Sequence, residues 1–440
     1  MLTTPGRSGR SGSPRGDRRR AGTAMVAAGA LAALAACSGG DAGGDEEVTL
    51  TFAWWGDASR AERYEKSIDL YEEQNPGVTI QTSYAGFGDY WTARNTEAAS
   101  GSLPDVMQMD VSYLSQYGAT GQIAPLDEFT ESGAIDISSF PESVMPAAKV
   151  DGKIFGIPTS TTGFTSFVNT GLVEELGVEM PEDGVTWDEY DAFLTDVGKA
   201  GAEHDPVVGG TVAYTQVWSV FEVWLRQQGK ALYTPEGELG FTEADLTAWW
   251  ERAEPLFADG GFADQGRVEQ LEGEDLLGIG EAGSEISYLN FLVRYSEGSA
   301  QGDFAMVLPP TDDPGNSGLY LKPSLELSMS ANTEHPDEAA KLIDFLANDP
   351  EVSREFGLSR GGPISQEAAD ALEPNELDQK MLDYLDRLAA VVGDTPPPPP
   401  EGAGALEVEF TRIAQDIAFG ETPVDDAVQE FFGLAPGVLG

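Results

Sequence analysis

Strand, helix and strand follow one another within roughly 35 residues from Val48, and this order limits the chain more than any other feature. Val48-Thr-Leu-Thr-Phe-Ala-Trp54 is apolar and β-branched, as a strand requires, and Trp55-Gly56-Asp57 breaks it. From Ser59 to Glu73 the apolar residues Ala61, Tyr64, Ile68 and Tyr71 recur at three and four, which predicts an amphipathic helix. Asn75-Pro76-Gly77 ends it, and Val78 to Ser83 reads as a second strand. Two strands joined through a helix form a βαβ unit, so the opening segment is expected to build an α/β lobe on a parallel sheet.

A chain of 440 residues has material for two or three domains, or two large lobes. Its 41% hydrophobic content, with 20 Phe, 13 Tyr and 8 Trp, supports real cores. The 75 acidic against 25 basic side chains give a charge of −50, which repels phosphate backbones and anionic headgroups, so no nucleic-acid partner is expected. Two His and one Cys leave little for a zinc site, a disulfide framework or an iron–sulfur cluster; no cofactor or metal is expected.

The single cysteine has a place of its own. Six arginines fall within the first 20 residues, and an uncharged, alanine-rich run follows from Ala21 to Ala36. The run is short for a membrane span and suits the apolar core of a signal peptide. Leu34-Ala35-Ala36-Cys37 resembles the lipobox of bacterial lipoproteins, which implies cleavage before Cys37 and acylation of its sulfur. An ordinary signal peptide with a stray cysteine is the plainer alternative. Cleavage would remove six basic and one acidic side chain, leaving a charge of −55. Residues 37–47 are small, polar and glycine-rich, as a flexible tether would be. The expectation is an exported protein held by lipid at the outer face of the cell membrane.

Further along, a helix is expected from about Tyr90 to Ala99, and Asp105 to Asp110 reads as a short buried strand ending on a carboxylate. Gly152–Pro158 and Gly163–Asn169 are strand candidates. Thr186-Trp-Asp-Glu189 has the spacing of a capping box. Helices are expected over Trp218–Gln228, Glu243–Phe257 and from Pro336 to Ala347, with strands over Met306–Pro310 and Ser324–Ser330. Pro396–Pro400 reads as a stiff spacer before a last amphipathic helix, about Leu406 to Phe419.

In order along the chain, the lipobox, Phe52-Ala-Trp-Trp-Gly56, Tyr71-Glu-Glu-Gln-Asn-Pro-Gly77 and Leu103-Pro-Asp-Val-Met-Gln-Met-Asp110 resemble the extracellular solute-binding proteins of ABC importers, in particular the large sugar-binding group. Lys153-Ile-Phe-Gly-Ile-Pro158, Thr186-Trp-Asp-Glu-Tyr190, Leu225-Arg-Gln-Gln-Gly229, His335-Pro-Asp-Glu-Ala-Ala340 with Phe345-Leu346, and Ser359-Arg-Gly-Gly-Pro363 continue the series. The set spans the chain beyond the leader and is not specific to one sugar. The resemblance implies a two-lobed α/β periplasmic-binding-protein fold (type II), with a ligand cleft between lobes and about three crossings. By that analogy lobe one holds residues 48–157 and 308–355, and lobe two holds 158–307 and 356–440. It also implies a monomer without enzymatic activity, a carbohydrate ligand, and the transmembrane subunits of an ABC permease as partner.

A sugar offers hydroxyl edges and apolar faces, so its site needs planar aromatics together with Asp, Asn, Glu or Arg. Ligands of open α/β sheets sit at the carboxyl ends of strands. That rule selects Trp55 and Asp57 after the first strand, Phe87, Tyr90 and Trp91 after the second, and Asp110 and Tyr113 after the third. Trp218, Trp224, Tyr288 and Asn290 are candidates from the other lobe, with Arg360 from a loop near the hinge. Trp54 and Trp55 face opposite ways if extended, so one belongs to core and Trp55 is the cleft candidate. Trp91 and Trp224 fall at helical spacing and favour core. Asp57 and Asp110 could each simply cap the following helix.

Gly278-Ile-Gly280-Glu-Ala-Gly283 matches G-x-G-x-x-G, but an acidic, glycine-broken stretch precedes it where a strand would be needed; a glycine-rich loop bordering the cleft is the better reading. An exported glycoside hydrolase or polysaccharide lyase is the rival class, and paired acids cannot be recognised by counting among 75 carboxylates. No G-x-S-x-G or H-E-x-x-H is present, and His204 and His335 stand alone. A peptide is the alternative non-sugar ligand.

Overall fold

The computed structural model of the chain describes residues 47–271, 274–298 and 303–439; the leader, Cys37 and nearly all of the tether lie outside them. The strands are β1 (Val48–Trp55), β2 (Val78–Ala85), β3 (Val106–Met109), β4 (Lys149–Val150), β5 (Lys153–Ile154), β6 (Ile157–Thr162), β7 (Phe164–Asn169), β8 (Ser284–Tyr288), β9 (Phe304–Val307), β10 (Lys322–Met329) and β11 (Gly362–Pro363). They form a six-stranded sheet in the order β11-β6-β10-β3-β1-β2, a three-stranded sheet β8-β7-β9, and the β4–β5 hairpin. The fold is α/β in two lobes, each lobe built on one of the larger sheets.

The opening βαβ unit is present. β1 and β2 run parallel from Val48↔Val78 to Trp55↔Ala85, and β3 pairs parallel with the other side of β1. Helix α1 (Ala58–Gln74) links β1 to β2 and buries Ala61, Tyr64, Ile68 and Tyr71, the stripe read from its periodicity. These residues pack with Leu50, Phe52 and Trp54 of β1 and with Ala340, Ile343 and Leu346 of the helix Pro336–Asn348. α2 (Phe87–Ser100) and α3 (Val111–Ala119) follow β2 and β3. The second core gathers Phe167, Trp187, Phe221, Trp249, Phe410 and Phe431. Its helix Trp187–Gly201 starts on the expected capping box, Thr186 with Glu189.

Strand pairing places the crossings differently from the analogy. β6 pairs with β10 and β11 in the six-stranded sheet, so the chain leaves that sheet only at Gly163. Residues 310–318 pack on the second lobe: the Gln227 amide donates to the carbonyls of Pro310 and Ser317, and Asn316 donates to those of Arg226 and Gln227. The chain therefore re-enters the larger sheet at β10, and its third crossing follows β11. Composition around a hinge carries no register, and backbone pairing decides the boundary.

Two helical expectations also change. Glu243–Phe257 divides into Glu243–Trp250 and Ala253–Ala258. The helix expected to be last, found at Ala403–Ala418, is followed by Val424–Val438, which buries Ala427, Val428 and Phe431. Among the described residues no helix is long and apolar enough to cross a membrane.

Candidate functional site

Because β1, β2 and β3 are parallel, their carboxyl ends meet on one edge, where they border a cavity of about 1840 Å³ that is lined by residues of both lobes. Trp55, Asp57, Phe87, Asp110 and Tyr113 line it from the first lobe; Trp218, Tyr288 and Asn290 line it from the other side, and Arg360 borders it.

Alternation along β1 separates the two tryptophans. Trp54 is fully buried, 5.1 Å from Phe52 and 4.8 Å from Tyr64 between ring centroids, whereas Trp55 is partly exposed to the cavity. Trp55 meets Phe87 edge-on at 5.5 Å, and Phe87 is 49% exposed, an apolar surface available to a ligand. Tyr90 is not part of the lining. It is buried beneath Trp55, and its hydroxyl donates to the Gln108 carbonyl at 2.7 Å, because the first turn of α2 aims it at the sheet. Trp91 is buried as well and stacks on Tyr113 at 3.7 Å, so it braces the face that Tyr113 presents.

Both carboxylates also cap helices. Asp57 accepts from the Arg60 backbone N–H at 2.8 Å, and Asp110 Oδ1 accepts from that of Ser112 at 2.9 Å. Capping fixes each side chain at a helix N-terminus on the cavity wall, so capping and lining are compatible here.

On the second lobe Trp218 is 6% exposed and mostly serves the core, against Phe410 at 4.8 Å, with an edge in the cavity. Trp224 is packed against that core, beside Phe221 and Trp249, and is not in the lining. Tyr288 stacks on Phe164 at 4.4 Å. Asn290 Oδ1 accepts from Thr162 at 3.0 Å, a bond between the loop after β8 and the end of β6. Arg360 is 4% exposed, with its guanidinium 3.9 Å from the Phe356 ring centroid. That packing and a donation to the Leu346 carbonyl commit it to the first lobe's interior.

Glu222, Lys322 and Glu407 are among the charged groups of the lining that escaped the sequence reading. The Lys322 ammonium lies 4.8 Å from the Tyr288 ring centroid. Burial works against its charge, but Tyr288, Asp110 and Glu407 outweigh that and hold it above the ordinary lysine range. Tyr320 donates to Glu222 at 2.5 Å. Burial raises the Glu222 carboxyl, opposed by that bond and by Arg226. A lone Glu four residues after Trp218 in an apolar helix, and a Lys inside Leu321-Lys322-Pro323, were the available signals.

Deeper still, Glu326 on β10 is fully buried, and neither carboxylate oxygen has a hydrogen-bond partner among the described residues. Burial, then the Asp110 charge, pushes it well above the usual carboxylate range against the opposing pull of Lys322. A carboxyl raised in the folded state stabilises at low pH, and that contribution is lost as pH rises from the unfolded value of about 4.3 through the folded one. Glu326→Gln is therefore expected to match wild type near pH 4.5 and to exceed it by about 1–3 kcal/mol at pH 8. Thermal melts between those pH values check this, and parallel profiles would refute it.

The G-x-G-x-x-G segment does not border the cavity. Gly278 lies in a short helix, Gly280 caps it in the left-handed region, and β8 follows Gly283, the reverse of a phosphate-binding strand–loop–helix. A Cβ on Gly283 would lie 2.6 Å from Val197, so close packing requires the glycine. Among the described residues no three His, Cys, Asp or Glu are grouped to hold a metal ion.

The family model for bacterial extracellular solute-binding proteins matches residues 66–380. A binding protein of Brucella abortus is 23% identical over 320 residues, covering 72% of this chain and 75% of that one. The multiple sugar-binding protein of Streptococcus mutans is 24% identical over 358 residues, covering 76% and 79%. The periplasmic oligogalacturonide-binding protein of Yersinia enterocolitica, solved with saturated digalacturonic acid, superposes with a TM-score of 0.79 at 21% identity, over 89% of this chain and 99% of that one. The match covers most of both lobes and the carboxyl ends of β2 and β3; the chain belongs to the bacterial extracellular solute-binding proteins.

Proposed function

We propose that this protein is the lipid-anchored receptor of an ABC importer, capturing an oligosaccharide in the cleft between its lobes and delivering it to the permease without altering it. The observation that carries the reading is the lining: partly exposed Trp55 and Phe87 beside Asp57 and Asp110, facing Tyr288 and Asn290 across one cavity. Aromatic planes suit sugar C–H faces, and carboxylates and amides suit pairs of hydroxyls. Tyr113 and the edge of Trp218 complete the proposed contacts. Small-ligand pockets occupy about 300–1,000 Å³. A cavity of about 1840 Å³ favours more than one sugar ring. The multiple-sugar and oligogalacturonide names of the related proteins support a saccharide of this kind.

The proposed hinge consists of the three crossings, at Gly163, before β10 and after β11. Ligand would bias it toward closure by binding the closed arrangement more tightly. Acylation at Cys37 is the proposed anchor, and incorporation of labelled palmitate is expected to vanish in Cys37→Ser.

The test is tryptophan fluorescence and thermal unfolding of the full-length chain with mono-, di- and trisaccharides, each mixture then assayed for product. Saturable binding, a raised Tm and unchanged sugar are expected. A cleaved sugar would make the protein an enzyme. Binding of short peptides and of no sugar would move the ligand class.

A further inference from the structure

The helix Ala403–Ala418 belongs to the second lobe's core through Leu406, Phe410 and Ile413, yet its first turn touches the first lobe. A methyl group placed on Gly404 would lie 3.4 Å from Tyr113 Cζ on α3. Glu407, one turn later, lines the same cavity as Asp110, the residue that caps α3. A carboxylate from each lobe therefore borders the cleft beside the point where the lobes meet. Lys322, at the start of β10 where the chain crosses, is the ammonium facing both.

We propose that Glu407 is a charge gate of the cleft: ionised, it opposes closure against Asp110 and rejects sugar acids; protonated, it lets the lobes close on a neutral sugar. The proposal rests on the saccharide reading and narrows its ligand class to uncharged sugars, in contrast to the digalacturonic acid held by the Yersinia relative.

The surroundings supply the reason. Asp110, Glu222 and Lys322 face Glu407 from α3, the helix Trp218–Gln227 and β10, and the phenols of Tyr113, Tyr233 and Tyr288 complete the circle. On its own helix, Arg412 is engaged by Glu409, Asp416 and Glu430. The Lys322 ammonium, with the Arg226 guanidinium beside Glu222, thus stands among three carboxyls. Burial, followed by the Asp110 charge, raises the Glu407 carboxyl to about 7, with Lys322 opposing. At pH 8 the group is ionised, and a ligand carboxylate brought among these acids is repelled; at pH 5.5 it is neutral.

The test uses the full-length chain as wild type, Glu407→Gln and Glu407→Asp, titrated with maltotriose, cellotriose and digalacturonate at pH 5.5 and 8, with melting curves of the unliganded proteins alongside. In wild type a neutral trisaccharide is expected to bind at least fivefold more tightly at pH 5.5, and digalacturonate at least tenfold more weakly than the neutral sugar at pH 8. Glu407→Gln is expected to lose the pH dependence to within twofold and Glu407→Asp to retain it. A carboxyl raised on folding loses its stabilisation as pH rises through 7, so the unliganded wild type is expected to lose Tm relative to Glu407→Gln between pH 5.5 and 8. Equal pH dependence in wild type and Glu407→Gln, or preferred binding of digalacturonate, would overturn the gate while leaving a sugar receptor. If no sugar binds, the saccharide reading fails and the gate falls with it, whereas parallel melting profiles in a protein that does bind sugar would overturn the gate alone.

Discussion

Replacing Asp110 with alanine is expected to weaken saccharide binding at least tenfold, about 1.4 kcal/mol. The residue follows β3 in extended conformation, with Oδ1 engaged by the Ser112 N–H, so the carboxylate is oriented before any ligand arrives. A hydrogen bond from a ligand hydroxyl to such a charged group contributes roughly 1.5–3 kcal/mol, against 0.5–1.5 for a neutral acceptor. Alanine also removes the helix cap, which costs about 1 kcal/mol of stability. Asp110→Asn separates the two effects, because asparagine caps about as well but carries no charge. It is expected to restore the Tm and to recover only part of the affinity. Calorimetric titration and thermal unfolding of the three proteins check both halves, and unchanged affinity in Asp110→Ala would remove Asp110 from the site.

Gly198→Val is expected to destabilise the protein by about 3 kcal/mol, the upper end of the range for overpacked interiors. Gly198 lies in the helix Trp187–Gly201, and a Cβ built there would sit 1.9 Å from the Gly260 carbonyl oxygen and 2.2 Å from its carbon. The obstacle is backbone, so no rotamer relieves it. Gly260 itself has φ +77°, which restricts how that turn can shift. Gly88 in α2 provides the control, since nothing lies within 4 Å of its Cβ position. Gly88→Ala is expected to be neutral or slightly stabilising through helix propensity. Urea unfolding of the two variants checks the contrast, and an unchanged midpoint for Gly198→Val would mean that the helix and the turn separate freely.

The residues that could be read in advance share one property: their neighbours along the chain decide their environment. The α1 stripe, the Thr186 capping box and the alternation that buries Trp54 and exposes Trp55 are all local. The carboxyl-end rule put Asp57, Phe87 and Asp110 at the edge that borders the cavity because three parallel strands must share it. The same rule misplaced Tyr90, since it gives a loop's location and not the direction of a side chain in the first turn of α2. Arg360 borders the cavity but turns its guanidinium inward, its stack on Phe356 depending on how α1 and the helix Pro350–Phe356 pack.

Lys322, Glu222 and Glu407 are separated by up to 185 positions in the sequence and meet only at the cleft. Their spacing has no period, and each is ordinary in its own helix or strand, so no local pattern could single them out. By itself the sequence determined the βαβ order, the α/β class and the strand ends that form one wall, because hydrophobic periodicity and turn residues act over a few neighbours. Only the tertiary structure decided how the other wall is assembled, where the chain crosses and how charge is balanced between the lobes, because these depend on strand pairing and on electrostatics between residues that folding alone brings together.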